Sequence, residues 1–286
     1  RHIKGFKALG AHVEEKENTV HITTGPEGLH GARIFFDLVS VGATINVLLA
    51  AVKAKGLTIM ENVAREPEIV DLATFLNNMG AHIRGAGTNE IRVQGVDSLK
   101  SMNVHTIIPD RIEAGTYLSF AAANGNGVLV KNVITEHLDP FLSKLEEMGV
   151  RMEIDEDEIY VPGGDVLSPV NIKTSPFPGF ATDLQQPITP LLMQARGSST
   201  IIDTLYPERT KHIPEMQRMG AKISSKDGII TVGHSTDLSG TVVEAGEIRA
   251  GVSLVGLALM AKGTTVINKA DNILRGYDRI VEKFRG

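Results

Sequence analysis

Apolar and small residues along the chain follow a pattern that recurs about every seventy residues. A large apolar residue, a glycine and a small apolar residue occur together four times, and the glycines are 70, 69 and 71 residues apart, at Gly10, Gly80, Gly149 and Gly220. Runs typical of β-strands precede the last three glycines and recur near the C-terminus, at 56–63, 127–133, 199–205 and 263–270. This spacing predicts a repeated supersecondary unit.

Helical spacing follows three of these strand runs. Apolar residues at i, i+3, i+4 and i+7 predict a helix over each set. The sets are Ile69, Leu72, Ala73 and Leu76, then Leu138, Phe141, Leu142 and Leu145, then Tyr277, Ile280, Val281 and Phe284. A glycine just after such a stripe predicts a left-handed residue at the helix end. Alternating residues at 154–161 and 222–232 predict β-hairpins that follow.

A nearly all-apolar helix is predicted before each strand run, in the segments 41–56, 114–127, 187–197 and 249–263. Helices that are apolar on every side are buried. The unit is therefore β-α-β-α-β-β, which is an α/β fold. It predicts half a unit at 1–23, units at about 32–96, 105–162 and 170–233, and a last unit from 241. This count leads us to expect further parts of the fold upstream of Arg1 and after Gly286.

Composition limits the functional classes. With 286 residues, 42% of them hydrophobic, the chain has enough apolar material for one large domain or two ordinary ones. The net charge of −5 argues against general nucleic-acid binding, and the absence of cysteine excludes a thiolate nucleophile or thiolate metal site within the chain. The longest apolar stretch, 250–261, is too short for a membrane span. We expect a cytoplasmic protein with neither a nucleic-acid nor a membrane partner.

Four arginines lie at predicted strand-to-helix junctions, at Arg111, Arg209, Arg249 and Arg275. If the units are arranged pseudo-symmetrically, the four guanidinium groups converge on one cleft, and convergent arginines suit phosphate or carboxylate groups. The alternative is that each is an ordinary exposed or ion-paired side chain. The nine histidines show no ligand-like pairing, so we assign no metal.

Three predicted helix starts carry polar groups. The segment 40–44 puts a hydroxyl and a glycine where free amides can hold an anion, although a plain N-cap explains it equally. Pro67 and the acids beside it form an ordinary helix-start pattern, and Glu66 could still face a cleft. Asp183 is either a helix cap or a general base acting on a substrate hydroxyl. The residues alone leave these alternatives open.

The motifs of the chain, taken together, resemble those of the UDP-N-acetylglucosamine 1-carboxyvinyltransferases, enolpyruvyl transferases of bacterial peptidoglycan synthesis. The motifs are SVGAT (40–44), AREPEIVD (64–71), PDRIEAGTYL (109–118), PGFATDLQ (178–185), HIPEMQRMGA (212–221) and RGYDRI (275–280). The first three favour this family over the 5-enolpyruvylshikimate-3-phosphate synthases, which share its fold. The resemblance implies an inside-out α/β barrel of two domains, divided here into 1–103 and 104–286.

The resemblance also implies roles for single residues. Asp183 would take the proton of the sugar 3-hydroxyl, and Arg249 and Arg275 would hold phosphoenolpyruvate. The implied contacts to the nucleotide sugar are Val39, Ser40, Val41, Gly42 and Leu205, and the implied cleft residues are Glu66, Arg111 and Arg209. The implied reaction adds the hydroxyl to C2 of phosphoenolpyruvate, with protonation at C3, and then expels phosphate. It needs no metal or cofactor, because arginines stabilise the charge.

The chain departs from the family pattern in several places. It has FATD, EIRAG, PERT and LRGY where the family usually has FPTD, DLRAG, ENRF and DRGY, and every charged group assigned above is kept. The family's general acid, a cysteine or sometimes an aspartate on a mobile loop, precedes the position of Arg1. We therefore expect the C-terminal two thirds of such an enzyme, without a complete catalytic set. An inactive fragment that binds nucleotide sugar weakly and a shikimate-pathway transferase are the alternatives.

Overall fold

The computed structural model describes residues 1–101 and 104–285. The chain divides into two compact units, unit 1 from Arg1 to Ile108 and unit 2 from Pro109 to Gly286. The predicted domain boundary after residue 103 falls at Met102 and Asn103, and the predicted end of the second domain is Gly286. These three residues lie outside the described ones, and the predicted boundary stays a prediction.

Unit 1 contains a hairpin and a four-stranded mixed sheet. Its elements are α1 (His2–Ala8), β1 (His12–Lys16), β2 (Thr19–Thr23), β3 (Arg33–Phe35), α2 (Val41–Val52), β4 (Leu57–Glu61), α3 (Pro67–Asn78), β5 (His82–Arg84) and β6 (Glu90–Gln94). Strand β3 runs parallel to β4, whereas β6 lies antiparallel between β4 and β5. The segment from β3 to β6 therefore has the order β-α-β-α-β-β that the sequence predicts for 32–96.

Unit 2 repeats this arrangement with variations. Its elements are α4 (Arg111–Asn124), β7 (Val128–Lys131), α5 (Asp139–Met148), β8 (Glu153–Ile154), β9 (Glu158–Val161), β10 (Asn171–Lys173), α6 (Thr189–Leu192), β11 (Ser199–Ile202), α7 (His212–Arg218), β12 (Ile223–Lys226), β13 (Ile229–Val232), β14 (Val242–Glu244), α8 (Ile248–Met260), β15 (Val266–Asn268), α9 (Asp271–Leu274) and α10 (Ile280–Lys283). The sheet orders are β7-β9-β8, β10-β11-β13-β12 and β14-β15. The strands of the described residues thus form five open sheets, without a closed barrel.

The apolar helices form the interior of each unit. In unit 1, Val47 and Leu48 of α2 have no solvent-exposed surface, and in unit 2 the same holds for Leu118 of α4 and Leu254 of α8. Helices α4 and α8 approach closely, because a Cβ placed on Gly256 of α8 would lie 2.2 Å from the ring of Phe120. The starts of the two helices are also near each other, because the charge of Asp110, the N-cap of α4, acts on Arg249 in the first turn of α8.

The four repeated glycines adopt the predicted left-handed conformation. Their φ angles are +92°, +103°, +92° and +93°, at Gly10, Gly80, Gly149 and Gly220 in that order. An L-residue with a side chain adopts this region at a steric cost, so glycine is the residue suited to end each helix there. The prediction is confirmed at Gly80 and Gly149, which follow the stripes at 69–76 and 138–145, and Gly10 and Gly220 have the same conformation.

Three local predictions are wrong. The repeat predicted at 105–162 lacks its first strand, because residues 104–110 form no strand, and Val104 and Ile107 are exposed and have no sheet face to cover. The stripe over 277–284 is not one helix, because Arg279 has a left-handed φ of +46° and only α10 follows it. The apolar segment 187–197 contains only the short helix α6, because the hydrogen bonds after Met193 change to the tighter 3₁₀ pattern, from the N–H of Gln194 to Leu191 and from that of Ala195 to Leu192. Within the described residues, no helix combines the length and hydropathy needed to cross a membrane.

Candidate functional site

Asp183 and two arginines form the centre of a charged cavity in unit 2. Asp183 lies in a single 3₁₀ turn, Thr182–Leu184, and its Oδ1 accepts a 2.6 Å hydrogen bond from Nη1 of Arg209. Nη2 of Arg249, in the first turn of α8, lies 3.5 Å from Oδ2 of the same carboxylate. Asp183 therefore does not act as a helix cap, and its carboxylate is held from two sides by guanidinium groups.

The cavity has a volume of about 320 Å³. Its charged and polar lining consists of Asp183, Arg209, Glu247, Arg249, Asn272 and Arg275. The fourth predicted arginine, Arg111 at the start of α4, is close enough to Asp183 that its charge lowers the pKa of this carboxyl. Three of the four arginines thus line one cavity, and the fourth lies within electrostatic reach of it.

The electrostatics of the cavity keep Asp183 ionised. Burial raises the pKa of Asp183, but the charge of Arg249, the hydrogen bond and charge of Arg209, and the charge of Arg111 together lower it below its ordinary value of 3.8. Burial also lowers the pKa of Arg249, and its interactions with Tyr277 and Asp183 more than offset this. The site therefore presents an ionised carboxylate beside fixed cations. This arrangement suits an anionic group, which the arginines can bind, next to a hydroxyl group, from which the carboxylate can accept a hydrogen bond.

An anion bound to these arginines should raise the pKa of Asp183. The arginines lower this pKa through their positive charge, and an anion that neutralises them removes the cause. The measurement is an NMR titration of the carboxyl carbon of Asp183, with and without sulfate. Because the folded pKa is depressed, the ion pairs stabilise the fold above the ordinary pKa, and this stabilisation is lost as the pH falls through the folded value.

Asp165 provides the matched control for this titration. Burial raises the pKa of Asp165, and the hydrogen bonds and charge of Arg151 lower it to a net value below its ordinary range. This pair does not line the arginine cavity. Sulfate should leave the pKa of Asp165 unchanged, and a sulfate-independent pKa of Asp183 would contradict anion binding at the cavity.

Asp203 supports the segment that carries Asp183, although the sequence analysis did not single it out. It is 4% exposed, and its carboxylate accepts hydrogen bonds from the hydroxyls of Thr174 (2.8 Å) and Thr182 (2.6 Å) and from the backbone N–H of Leu205 (3.0 Å) and Tyr206 (2.9 Å). The Thr182 hydroxyl also accepts from Nη1 of Arg209 at 3.1 Å. An aspartate directly after a strand and before a turn is the signal that marks such a residue.

Glu247 is a second cavity residue that the sequence analysis did not assign. Its Oε1 accepts a 3.0 Å hydrogen bond from Nε2 of Gln186, and the same nitrogen lies 3.2 Å from Nδ1 of His212. Burial lowers the pKa of His212 to about 3, so its ring is neutral at physiological pH. A neutral ring can accept from Gln186, and this pair holds the Glu247 carboxylate in place.

Leu205, which the resemblance assigns to the nucleotide sugar, follows β11 in unit 2. Its backbone N–H donates to Asp203, so its carbonyl oxygen is the main-chain atom that would contact a ligand. Its side chain is partly exposed.

The remaining predicted contacts lie in unit 1, at the start of α2. Ser40 is the N-cap, and its Oγ accepts a 3.3 Å hydrogen bond from the N–H of Ala43, which matches the plain capping interpretation. Val39 precedes the cap, and Val41 and Gly42 form the first turn, whose amides have no acceptor within the helix. A Cβ on Gly42 would lie 3.3 Å from the ring of His2, which leaves little room for a larger residue.

Glu66 lies at the N-cap position of α3 in unit 1, directly before Pro67. Its side chain is buried, and within the described residues its Oε2 has no hydrogen-bond partner. The Oγ1 of Thr44 in α2 accepts from the N–H of Ala64, so the start of α2 is tied to the segment that carries Glu66. Among the described residues, no three or more histidine, aspartate or glutamate side chains are grouped so that they could hold a metal ion.

Comparisons with known sequences extend over the whole chain. Residues 1–284 match the family model described as EPSP synthase (3-phosphoshikimate 1-carboxyvinyltransferase). The UDP-N-acetylglucosamine 1-carboxyvinyltransferase 2 of Lactiplantibacillus plantarum is 63% identical over 283 residues, which cover 99% of this chain and 66% of the relative. The corresponding protein of Latilactobacillus sakei is 60% identical over 286 residues, which cover 100% and 68%. The chain therefore spans about two thirds of the length of these relatives.

Solved structures show the same fold at low sequence identity. A crystal structure of an enolpyruvyl transferase from Streptomyces tendae has a TM-score of 0.90 and 24% identity, and the match covers 99% of this chain and 69% of the other. An EPSP synthase from Acinetobacter baumannii has a TM-score of 0.72 and 19% identity, with the same coverage. The chain thus has the α/β fold of the enolpyruvyl transferases.

Proposed function

The chain belongs to the UDP-N-acetylglucosamine 1-carboxyvinyltransferase family of enolpyruvyl transferases, and we propose that it serves the transfer named by its relatives. In this reaction the enolpyruvyl group of phosphoenolpyruvate moves to the 3-hydroxyl of UDP-N-acetylglucosamine, with release of phosphate, as the first committed step of peptidoglycan synthesis. The observation that carries the proposal is the cavity in which Asp183 is held among Arg209, Arg249 and Arg275. We place this reaction in the cytoplasm.

The cavity residues divide between proton transfer and charge stabilisation. Asp183 accepts the proton of the sugar 3-hydroxyl. At the same time the hydroxyl oxygen bonds to C2 of phosphoenolpyruvate, and C3 gains a proton. Arg249 and Arg275 hold the phosphate and carboxylate of phosphoenolpyruvate, and Arg209 and Arg111 add positive charge. In the second step C3 loses a proton, the bond from C2 to the phosphate oxygen breaks, and phosphate leaves.

Preorganised arginines favour this reaction because their charges need no reorganisation as negative charge shifts onto the departing phosphate. A carboxylate whose pKa is depressed is a weak base while the arginines are unoccupied. Binding of phosphoenolpyruvate neutralises the same arginines, so the substrate itself strengthens Asp183 as a base. None of the described residues is assigned as the proton donor to C3.

The residues in unit 1 are proposed to serve the nucleotide sugar. The first turn of α2, with Ser40, Val41 and Gly42, offers amides and the positive end of a 12-residue helix to the diphosphate. Val39 precedes this turn, and Glu66 contributes a buried carboxylate. In unit 2 the backbone of Leu205 is the proposed contact to the same ligand.

We further propose the inside-out α/β barrel and the two-domain division for the complete fold. The repeated β-α-β-α-β-β order, present between β3 and β6 and again between β10 and β13, supports this. The buried helices and outer sheets of such a barrel agree with the burial of α2, α4 and α8.

The test is phosphate release from phosphoenolpyruvate by the purified protein. Release that depends on UDP-N-acetylglucosamine supports the proposal. Release that depends on shikimate 3-phosphate instead favours the second candidate, to which the name of the matching family model points. Since the chain spans about two thirds of its relatives, a 286-residue preparation that binds UDP-N-acetylglucosamine but releases no phosphate would identify it as a binding fragment.

A further inference from the structure

Tyr277 is a buried tyrosine beside the arginine cavity that the reaction above does not use. It lies between α9 and α10, is 1% exposed, and packs in a small apolar cluster with Ala245, Val252 and Ile273. A buried phenol needs hydrogen-bond partners for its hydroxyl, because an unpaired polar group inside a protein is costly. The partners of this hydroxyl connect it to the cavity.

Two groups contact the hydroxyl of Tyr277, and their chemistry fixes the direction of each hydrogen bond. Nη1 of Arg249 lies 2.9 Å away, and Oγ1 of Thr116 in α4 also lies 2.9 Å away. The Thr116 hydroxyl donates its own hydrogen to the carbonyl of Ile112, at 2.8 Å. Thr116 must therefore accept from Tyr277, and the tyrosine oxygen accepts from Arg249.

Arg249 is consequently held at both ends of its guanidinium fork. Nη1 donates to Tyr277, and Nη2 points to Asp183. The guanidinium carbon also lies 5.3 Å from the centre of the Tyr277 ring. With the attachment of the guanidinium group through its own side chain as a third point, these two contacts fix the plane of the group, so its remaining donors have one orientation in the cavity.

The backbone beside Tyr277 is fixed as well. A Cβ on Gly276 would lie 2.6 Å from the side chain of Ile248, so residues 275–277 pack directly on the start of α8. The same three-residue turn sends Arg275 into the cavity and Tyr277 into the apolar cluster. Packing therefore fixes the position of Tyr277 independently of the contact between its hydroxyl and Arg249.

We propose that Tyr277 is a positioning residue for Arg249, which it holds in the orientation that binds an anionic group of phosphoenolpyruvate. The identity of this anion rests on the proposed function, whereas the orientation of the arginine does not. Thr116 completes the arrangement, because it engages the phenolic hydrogen and leaves the oxygen lone pair to the arginine. Preorganisation of this kind lowers the cost of ordering a long side chain when the ligand binds.

The first experiment needs no ligand. In the 286-residue chain labelled at arginine, NMR measures the rotation rate of the Arg249 guanidinium, with the signal assigned by Arg249→Lys. Tyr277→Phe keeps the ring and its packing and removes only the hydroxyl, so the rotation should become at least several-fold faster. Tyr160→Phe, on strand β9 outside the cavity lining, is the matched control and should leave the rate unchanged.

The second experiment measures the dissociation constant for phosphoenolpyruvate by calorimetry. Loss of one hydrogen bond to a charged group should weaken binding about tenfold in Tyr277→Phe. In an Arg249→Lys background, the same substitution should change the constant by less than about twofold, because its effect passes through Arg249. A purely structural role would produce the same loss in both backgrounds.

The outcomes separate this inference from the proposed function. An unchanged rotation rate in Tyr277→Phe overturns the positioning role, whatever the ligand does, and so does an equal tenfold loss in the Arg249→Lys background. A wild-type chain that fails to bind phosphoenolpyruvate while Tyr277→Phe still accelerates the rotation contradicts the proposed ligand and leaves the positioning role supported.

Discussion

Replacement of Asp183 by asparagine should lower enolpyruvyl transfer by about 10²- to 10⁴-fold, the range typical for loss of a general base. Asparagine has nearly the same shape as aspartate, so the contacts to Arg209 and Arg249 can be kept in part, but it cannot accept the proton of the sugar hydroxyl. The measurement is steady-state phosphate release in a preparation whose unaltered form depends on UDP-N-acetylglucosamine.

The same substitution should leave binding of phosphoenolpyruvate intact or strengthen it. Asp183 places a negative charge beside the arginines that bind the anion, and asparagine removes this charge. A loss of turnover without a loss of binding therefore identifies a role in proton transfer. Asp165→Asn, which removes an arginine-paired carboxylate elsewhere in unit 2, is the control and should change turnover less than about twofold. A near-normal rate in Asp183→Asn would show that another group is the base.

Local sequence signals predicted the repeated parts of the fold. Glycines such as Gly80 and Gly149 follow an apolar stripe, and the conformation they need is local to the helix end. In the repeat at 32–96, the strand run and the helices α2 and α3 follow the same rule, since these patterns depend on neighbours in sequence. The stripe over 277–284 failed because the left-handed φ of Arg279 interrupts the helix, and this angle is not encoded in the apolar spacing.

The sequence could indicate which arginines belong to the charged cavity, but not the hydrogen bonds that orient them. The sequence offered convergence of Arg209, Arg249 and Arg275 as one of two alternatives, beside ordinary exposed or ion-paired side chains, and in the structure the three line one cavity. The contacts that orient them connect residues far apart in the chain, as between Thr116 and Tyr277, which are separated by 161 positions. No periodicity links such residues, because their proximity comes from the packing of α4 against α8.

Asp203→Ala should lower the free energy of unfolding of unit 2 by about 3 to 5 kcal/mol. The carboxylate is buried and accepts four hydrogen bonds, and alanine leaves all four donors without their acceptor. Denaturant unfolding followed by tyrosine fluorescence measures this change. All four tyrosines of the chain lie in unit 2 and tryptophan is absent, so the signal reports this unit specifically.

Asp155→Ala is the matched control, because Asp155 is an exposed residue of the turn between β8 and β9. It should change the free energy of unfolding by no more than about 0.5 kcal/mol. Asp203→Asn keeps one acceptor oxygen and should give an intermediate loss. A change below about 1 kcal/mol in Asp203→Ala would contradict the assigned network.

If the network is as described, loss of Asp203 also releases Thr182, and with it the turn that presents Asp183 to Arg209 and Arg249. Stability and proton transfer should therefore be lost together at this position, whereas Asp183→Asn separates them.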